Sequence, residues 1–178
     1  VSRIFWGKVQ VRAATALYFF NKETRVQRLL HLLKYKARTD VGLAAGGWLG
    51  AEIKESPLFN GLDMLAPIPL HPKKLRIRGY NQSAIIADGV SKSLGVPVNT
   101  NAIIRTSNSS TQTRKGRFDR WQNVKTIFRV SDAVAVKDRH ILLIDDVITT
   151  GSTIEACVKA LSDAGAASVS VAVVAFAA

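Results

Sequence analysis

The sequence predicts an α/β fold around a mostly parallel central sheet flanked by helices, and three observations carry that expectation. Short apolar runs of strand character alternate with stretches of helical periodicity along the chain. HILLIDDVITTGSTIEACVKALSDAG, from His140 to Gly165, reads in one pass as a doubly buried strand (Ile141 to Ile144), a turn, and a helix from Ser152 to Ala164 that stops at Gly165. After it the chain closes with another apolar strand, Ser168 to Phe176. Parallel strands joined by helical crossovers gather ligands at their C-terminal ends, so the segments just after strands are where function is sought.

Taken in order, Val9 to Phe20 combines alternation with β-forming residues and reads as one or two strands, with Asn21 placed to cap the next helix. In KETRVQRLLHLLKY, Val26, Leu29, Leu30 and Leu33 recur at helical spacing. His31 has no second ligand nearby and reads as a packing or surface residue. Lys34, Tyr35 and Lys36 close that helix, as a solvated basic end favoured by the helix dipole more simply than as an anion contact. Thr39 to Glu55 reads as a second helix despite Gly42, Gly46, Gly47 and Gly50, whose low propensity implies close packing against a neighbour. No strand precedes this G-x-x-x-G-G-x-x-G order, which excludes a dinucleotide phosphate loop.

After a break at Pro57 to Gly61, Leu62 to Ile68 reads as a strand leading into PLHPKKLRIRGYNQ. Pro69 and Pro72 stiffen a loop there, and His71, Lys73, Lys74, Arg76 and Arg78 make it cationic. By itself such a run also reads as a solvated face. Asn81 to Leu94 reads as a helix with Ala84, Ile85, Ala87 and Leu94 on its apolar side and Gly95 past its end. Ala102 to Ile104 supplies a short strand. From Arg105 the chain enters a long polar stretch with the composition of a lid that closes on anions; Gln112, Arg114 and Arg117 are its candidate contacts. Ile127 to Val130 makes another short strand before the His140 segment.

That segment carries the chemistry. Gly151 permits backbone conformations closed to other residues, so successive N–H groups of the turn Thr149, Thr150, Gly151, Ser152, Thr153 can converge on one phosphate at a helix N-terminus. Asp145 and Asp146 would repel that phosphate unless they touch another part of the ligand. Vicinal sugar hydroxyls suit them, and the spacing then measures a ribose 5-phosphate. An acidic strand end of a nucleotide hydrolase is the competing account, but no G-x-x-x-x-G-K-[ST] occurs. Acids and hydroxyls that merely satisfy loop backbone are the other.

Composition narrows the partners. With 47% apolar residues in 178, the chain suffices for a single domain, 1–178, with 1–60 as an accessory part and 61–178 as the sheet core. Lys and Arg total 25 against 13 acids, a net +12 that points to phosphorylated metabolites or nucleic acid. Between Leu70 and Arg120, ten basic residues face two acids, so +8 of that excess lies in one stretch. The single cysteine, Cys157, excludes an internal disulfide, suits a reducing cytoplasm, and reads as a buried structural thiol. The apolar tract Val169 to Ala178 is too short to span a bilayer, so no membrane insertion is expected. The start at Val1 rather than Met suggests a trimmed chain.

The run Leu142 to Thr153, an apolar strand, two acids and a Thr/Gly/Ser turn, resembles the signature of the type I phosphoribosyltransferases. Together with FNKETRVQRLLHLLKYK, PIPLHPKKLRIRGYNQ, and Arg105 with Gln112, Arg117 and Asn123 before Phe128, it resembles the competence-associated ComF family over nearly the whole length. Members commonly carry an N-terminal four-cysteine zinc ribbon, which this chain cannot form with one cysteine. The resemblance implies a type I phosphoribosyltransferase-like fold with a hood-like N-terminal part. It also implies 5-phosphoribosyl-1-pyrophosphate as ligand and magnesium held through that ligand near Asp145 and Asp146. Pro69, Leu70, His71, Lys73 and Lys74 would then hold the pyrophosphate, Val147 and Thr149 to Thr153 the 5-phosphate, and Arg105, Gln112, Arg114 and Arg117 would close over the reacting sugar. Nucleic acid or competence proteins are the further partners it suggests.

Overall fold

The computed structural model describes residues 1–19, 25–106 and 127–177. The elements are β1 (Ala14–Phe19), α1 (Arg25–Tyr35), α2 (Thr39–Lys54), β2 (Met64–Pro67), α3 (Pro72–Arg78), α4 (Gln82–Leu94), β3 (Ile103–Arg105), β4 (Phe128–Val130), α5 (Ala133–Val136), β5 (His140–Ile148), α6 (Ser152–Asp163) and β6 (Ser168–Phe176). One sheet runs β1-β6-β5-β2 with every pair parallel. This is the α/β architecture the sequence predicts.

Centrally placed, β5 is buried on both faces. Ile141 and Leu143 turn towards Ile154, Val158 and Leu161 of α6. Leu142 and Ile144 turn towards Leu33 of α1, Leu49 of α2, and Ile86 and Val90 of α4. All four β5 residues are fully buried, and each such side chain contributes about 1.5–3 kcal/mol. The strand that carries the acidic pair is thus also firmly anchored in the core.

Several expectations shift in detail. β5 continues to Ile148, because pairing with β6 persists through Asp145↔Val173, Val147↔Ala175 and Ile148↔Phe176. The acids therefore lie inside the strand, three and two residues before its last one, rather than where it ends. β1 starts only at Ala14, and the residues before it include a 3-10 turn, Ser2–Phe5, that tucks Phe5 into the core. β3 and β4 form a separate antiparallel pair. Between β2 and α3 only Ile68 to His71 remains irregular. Pro72 opens α3, as proline at a first helical position favours, and His71 Nδ1 accepts from the Lys73 N–H at 3.1 Å. α4 is ended by Gly95 as read and starts one residue later than read, with Asn81 as its cap, but its buried side is Ile86, Ala87 and Val90, while Ala84, Ile85 and Leu94 are only partly covered.

That rotation of α4 arises from its contact with α2. A Cβ on Gly46 would lie 2.1 Å from the Ile86 carbonyl oxygen, and one on Gly89 would lie 2.3 Å from that of Leu43, so the two backbones touch. Gly42 and Gly50 are similarly crowded, by Leu33 and Ile85 and by Ser93 and Val90. Gly47 differs from the expectation: its Cβ would meet nothing within 4 Å, since it lies one residue round the helix from the contact.

At the opposite end of the sheet His140 is buried between Arg12 and Ser170. Arg12 can only donate, so His140 Nδ1 accepts at 3.1 Å and the ring proton lies on Nε2, facing Ser170 Oγ at 2.8 Å. Burial, then the Arg12 charge, hold the imidazole below its ordinary pKa and keep it neutral.

Gly46→Ala and Gly89→Ala should each lower stability by more than about 2 kcal/mol, because a Cβ there displaces backbone. Gly47→Ala should raise it by about 0.5–1 kcal/mol. Urea unfolding of the three variants reads both signs, and equal effects at Gly46 and Gly47 would refute the contact.

Candidate ligand-binding cleft

At the C-terminal end of β5 the acidic pair is held from two directions. Asp145 Oδ1 accepts from Ser83 Oγ at 2.8 Å and from the Asp146 N–H at 2.9 Å. Asp146, only 7% exposed, pairs with Lys34 Nζ through Oδ2 at 3.0 Å. Gln82 Nε2 lies 3.5 Å from the same oxygen. Asn81 braces the start of α4, its Nδ2 donating to the Ile68 carbonyl at 2.9 Å and its Oδ1 accepting from the Ser83 N–H at 3.1 Å.

These side chains line an open cleft of about 230 Å³. β2's exit contributes Ile68, Pro69 and Leu70, α3 contributes Lys74 and Arg78, and α1 contributes Lys34 and Tyr35. Arg105 and Thr153 complete its walls. A second, smaller hollow of about 50 Å³ is formed by Val147 to Ile154 with Asp145, so Asp145 and Thr153 are walls of both. Gly151 sits there at φ +80° as the N-cap of α6 and supplies no side-chain cap. The first N–H groups of a twelve-residue helix thus open onto this hollow, beside the hydroxyls of Thr150 and Ser152, which lie 3.1 Å apart.

The electrostatics are those of two acids crowded at a strand end. Burial first, and then the Asp146 charge, push the Asp145 carboxyl up to about 7; the Ser83 hydrogen bond and Lys34 oppose the rise. A ligand that brings hydroxyl donors or positive charge to this pair relieves that cost. Cys157, buried among apolar groups and near Asp145, has its thiol pushed up and stays unionised, in keeping with a structural role. Among the described residues no group of three or more His, Cys, Asp or Glu is placed to hold a metal ion, and no helix is long and apolar enough to cross a membrane.

The structure brings Asp145, Asp146, Pro69, Leu70, Lys74, Arg105 and Thr153 into the cleft, and Val147, Thr149, Thr150, Gly151 and Ser152 into the adjoining hollow. His71 and Lys73 line neither; His71 caps α3, and Lys73 is exposed. Gln112, Arg114 and Arg117 lie outside the described residues. Sequence reading took Lys34 and Tyr35 for a solvated helix end, where Lys34 is the counter-ion of Asp146; it named Arg78 only within the cationic run, and it missed Asn81, Gln82 and Ser83. Nothing local to Lys34 signals this role, since it depends on where α1 crosses β5. For Gln82 and Ser83, the signal was a polar pair directly ahead of the apolar run Ala84 to Ala87.

Residues 81–178 match the phosphoribosyl transferase domain model. The chain belongs to this family. Within it the chain is a ComF member, similar to DNA utilization protein YhgH of Escherichia coli strain K12, with 32% identity over 146 residues, 80% of this chain and 63% of that protein. It is 35% identical over 106 residues to competence protein F of Haemophilus influenzae, covering 58% of this chain and 45% of that one. Competence protein ComFC of Bacillus subtilis is 33% identical over 108 residues, covering 60% and 42%. The chain thus spans less than two thirds of the length of each. Among solved structures, glutamine phosphoribosylpyrophosphate amidotransferase from B. subtilis superposes with a TM-score of 0.56 at 21% identity, covering 80% of this chain and 30% of that one, a likeness of fold.

A carboxyl whose folded pKa is raised adds stability below the ordinary carboxylate range and loses it as pH climbs through about 7. Asp145→Asn does not titrate and can keep both hydrogen bonds at Oδ1. The ligand-free variant should therefore melt above the wild type at pH 8, with the gap closing towards pH 4. Melting curves across that range with parallel pH slopes would contradict the assignment.

Proposed function

We propose that this chain binds 5-phosphoribosyl-1-pyrophosphate and acts as the donor-binding domain of a magnesium-dependent phosphoribosyltransferase. The observation that carries the reading is that the acidic cleft and the Gly151 hollow share Asp145 and Thr153 as walls. A ligand with a phosphate in the hollow necessarily presents its sugar to the acids and its far end to the larger cleft.

In this reading Thr149 to Thr153, with Val147 in the same wall, hold the 5-phosphate, and Asp145 and Asp146 accept from the ribose hydroxyls. Pro69, Leu70 and Lys74 serve the pyrophosphate, joined by Arg105, while His71 caps α3 and Lys73 stands outside the cleft. Gln112, Arg114 and Arg117, in the polar stretch between β3 and β4, are the further candidate contacts of the reacting sugar. Oxygen donors suit a hard cation, and the acid pair with the ligand's own oxygens fits magnesium. When bound, the ion supplies charge neutralisation on the leaving group. The chain's residues position the sugar and cationic side chains receive the pyrophosphate, so positioning and leaving-group stabilisation carry the chemistry without a strong base. Residues 1–60 act as the accessory part through α1, and a cytoplasmic location suits the ligand.

A second reading, a nucleic-acid-associated module that keeps the ligand site as a sensor, is favoured by the net +12 charge and by relatives named for competence and DNA utilization.

Calorimetric titration with 5-phosphoribosyl-1-pyrophosphate should show magnesium-dependent binding by the wild type, abolished in the Asp145→Asn/Asp146→Asn variant; a wild type that fails to bind would sink the donor reading. For the second reading, affinity for single- or double-stranded DNA should fall steeply between about 50 and 200 mM salt with little sequence preference. Charge reversal at Arg114 and Arg117 should weaken it, and no DNA binding even at low salt would dismiss it.

A further inference from the structure

Two buried side-chain polar atoms among the described residues have no hydrogen-bond partner, Arg78 Nη1 and Gln82 Oε1. Both residues line the cleft that holds the acid pair. Native structures leave few buried polar atoms unpaired, because each forfeits its hydration with nothing in return. One donor and one acceptor left open in the same cleft are complementary to a ligand that brings one of each.

Their surroundings say which group meets which atom. Gln82, 4% exposed, opens α4 with its Nε2 turned to Asp146 Oδ2 at 3.5 Å, so its carbonyl oxygen sits beside the acid pair and requires a hydroxyl or other hydrogen donor. Arg78 closes α3, its guanidinium carbon 5.7 Å from the centre of the Tyr35 ring, with no ion pair to a carboxylate among the described residues. A guanidinium that is partly buried, steadied by an aromatic ring and lacking a counter-ion is suited to an anionic oxygen. Lys34, the cation that α1 contributes, is already engaged by Asp146, which leaves Arg78 with Lys74 as the cations of the α3 wall.

We infer that Gln82 and Arg78 are paired ligand contacts, Gln82 Oε1 accepting from a ribose hydroxyl beside the acid pair and Arg78 Nη1 donating to a diphosphate oxygen at the α3 end of the cleft. The inference rests on the donor reading above and extends it: Arg78 discriminates a diphosphorylated sugar from ribose 5-phosphate, and Gln82 shares the hydroxyl recognition otherwise left to two carboxylates. Because both atoms are unpaired without ligand, the two side chains favour the bound state at the expense of the free one.

That opposition supplies the test. Wild type, Arg78→Met, Arg78→Lys and Gln82→Met are titrated, with magnesium, against 5-phosphoribosyl-1-pyrophosphate, inorganic pyrophosphate and ribose 5-phosphate, and each ligand-free protein is melted. Arg78→Met should weaken the first two about tenfold to hundredfold and leave ribose 5-phosphate within about twofold, with Arg78→Lys recovering part of the loss. Gln82→Met should weaken 5-phosphoribosyl-1-pyrophosphate and ribose 5-phosphate by about two- to tenfold and spare pyrophosphate. Both methionine variants should melt at or above the wild-type temperature. Unchanged affinities in variants of a wild type that binds would mean that water satisfies these atoms, and would overturn the inference alone. Lower melting temperatures with equal loss for all three probes would make the residues structural and overturn it likewise. A wild type that binds none of the probes overturns the donor reading and this assignment with it.

Discussion

Two adjacent carboxylates at the end of an otherwise apolar, doubly buried strand set the terms for the elements around them. Asp145 and Asp146 are brought close by β5, whose anchoring residues Ile141 to Ile144 fill both layers of core. Unpaired, two such acids in a cleft wall would be costly, since burial and mutual repulsion both disfavour ionisation. The fold meets this with Ser83 from the start of α4 and Lys34 from the end of α1. α1 and α4 must therefore be placed to within hydrogen-bond tolerance of β5, and the rest of that layer is arranged to do so.

The α2–α4 contact is the means. Glycines at Gly42, Gly46, Gly50 and Gly89 let the two helices meet backbone to backbone, which brings α4 low over β5 and seats Leu33 of α1 against Gly42. Tyr80, just ahead of α4, donates its hydroxyl to the Leu33 carbonyl, one residue before Lys34. Helix packing and site geometry are thus the same set of contacts: what holds α1 to α2 and α4 also delivers Lys34 to Asp146.

The cleft is correspondingly the least satisfied part of the described structure. It holds a carboxyl raised towards neutrality and an amide oxygen and a guanidinium nitrogen without partners, next to a helix head whose N-cap, Gly151, brings no side chain. At the other end of the sheet, by contrast, His140 has both ring nitrogens engaged. Polar groups unsatisfied at one end of a parallel sheet and satisfied at the other set the end that carries the acid pair and the Gly151 turn apart from the purely structural one.

How far the sequence reaches is set by the range over which its forces act. The β5–turn–α6 unit, the limits of β6, the Gly95 end of α4 and the pairing of acids with a glycine turn all depend on neighbours a few residues apart, and each is legible in the chain itself. The crowding implied by the glycines of α2 was legible too, but not that Gly47 escapes it, because that depends on which face α4 meets. Lys34 as the partner of Asp146, and the shared cleft of Arg78, Gln82 and the acid pair, join residues from distant parts of the chain. No local pattern records them. The sequence by itself determined the fold class and the acid-and-turn chemistry, since both are written in short-range periodicity. Tertiary structure alone decided which cations and amides face that chemistry, because only the crossing of α1 and α4 over β5 brings them within reach of it.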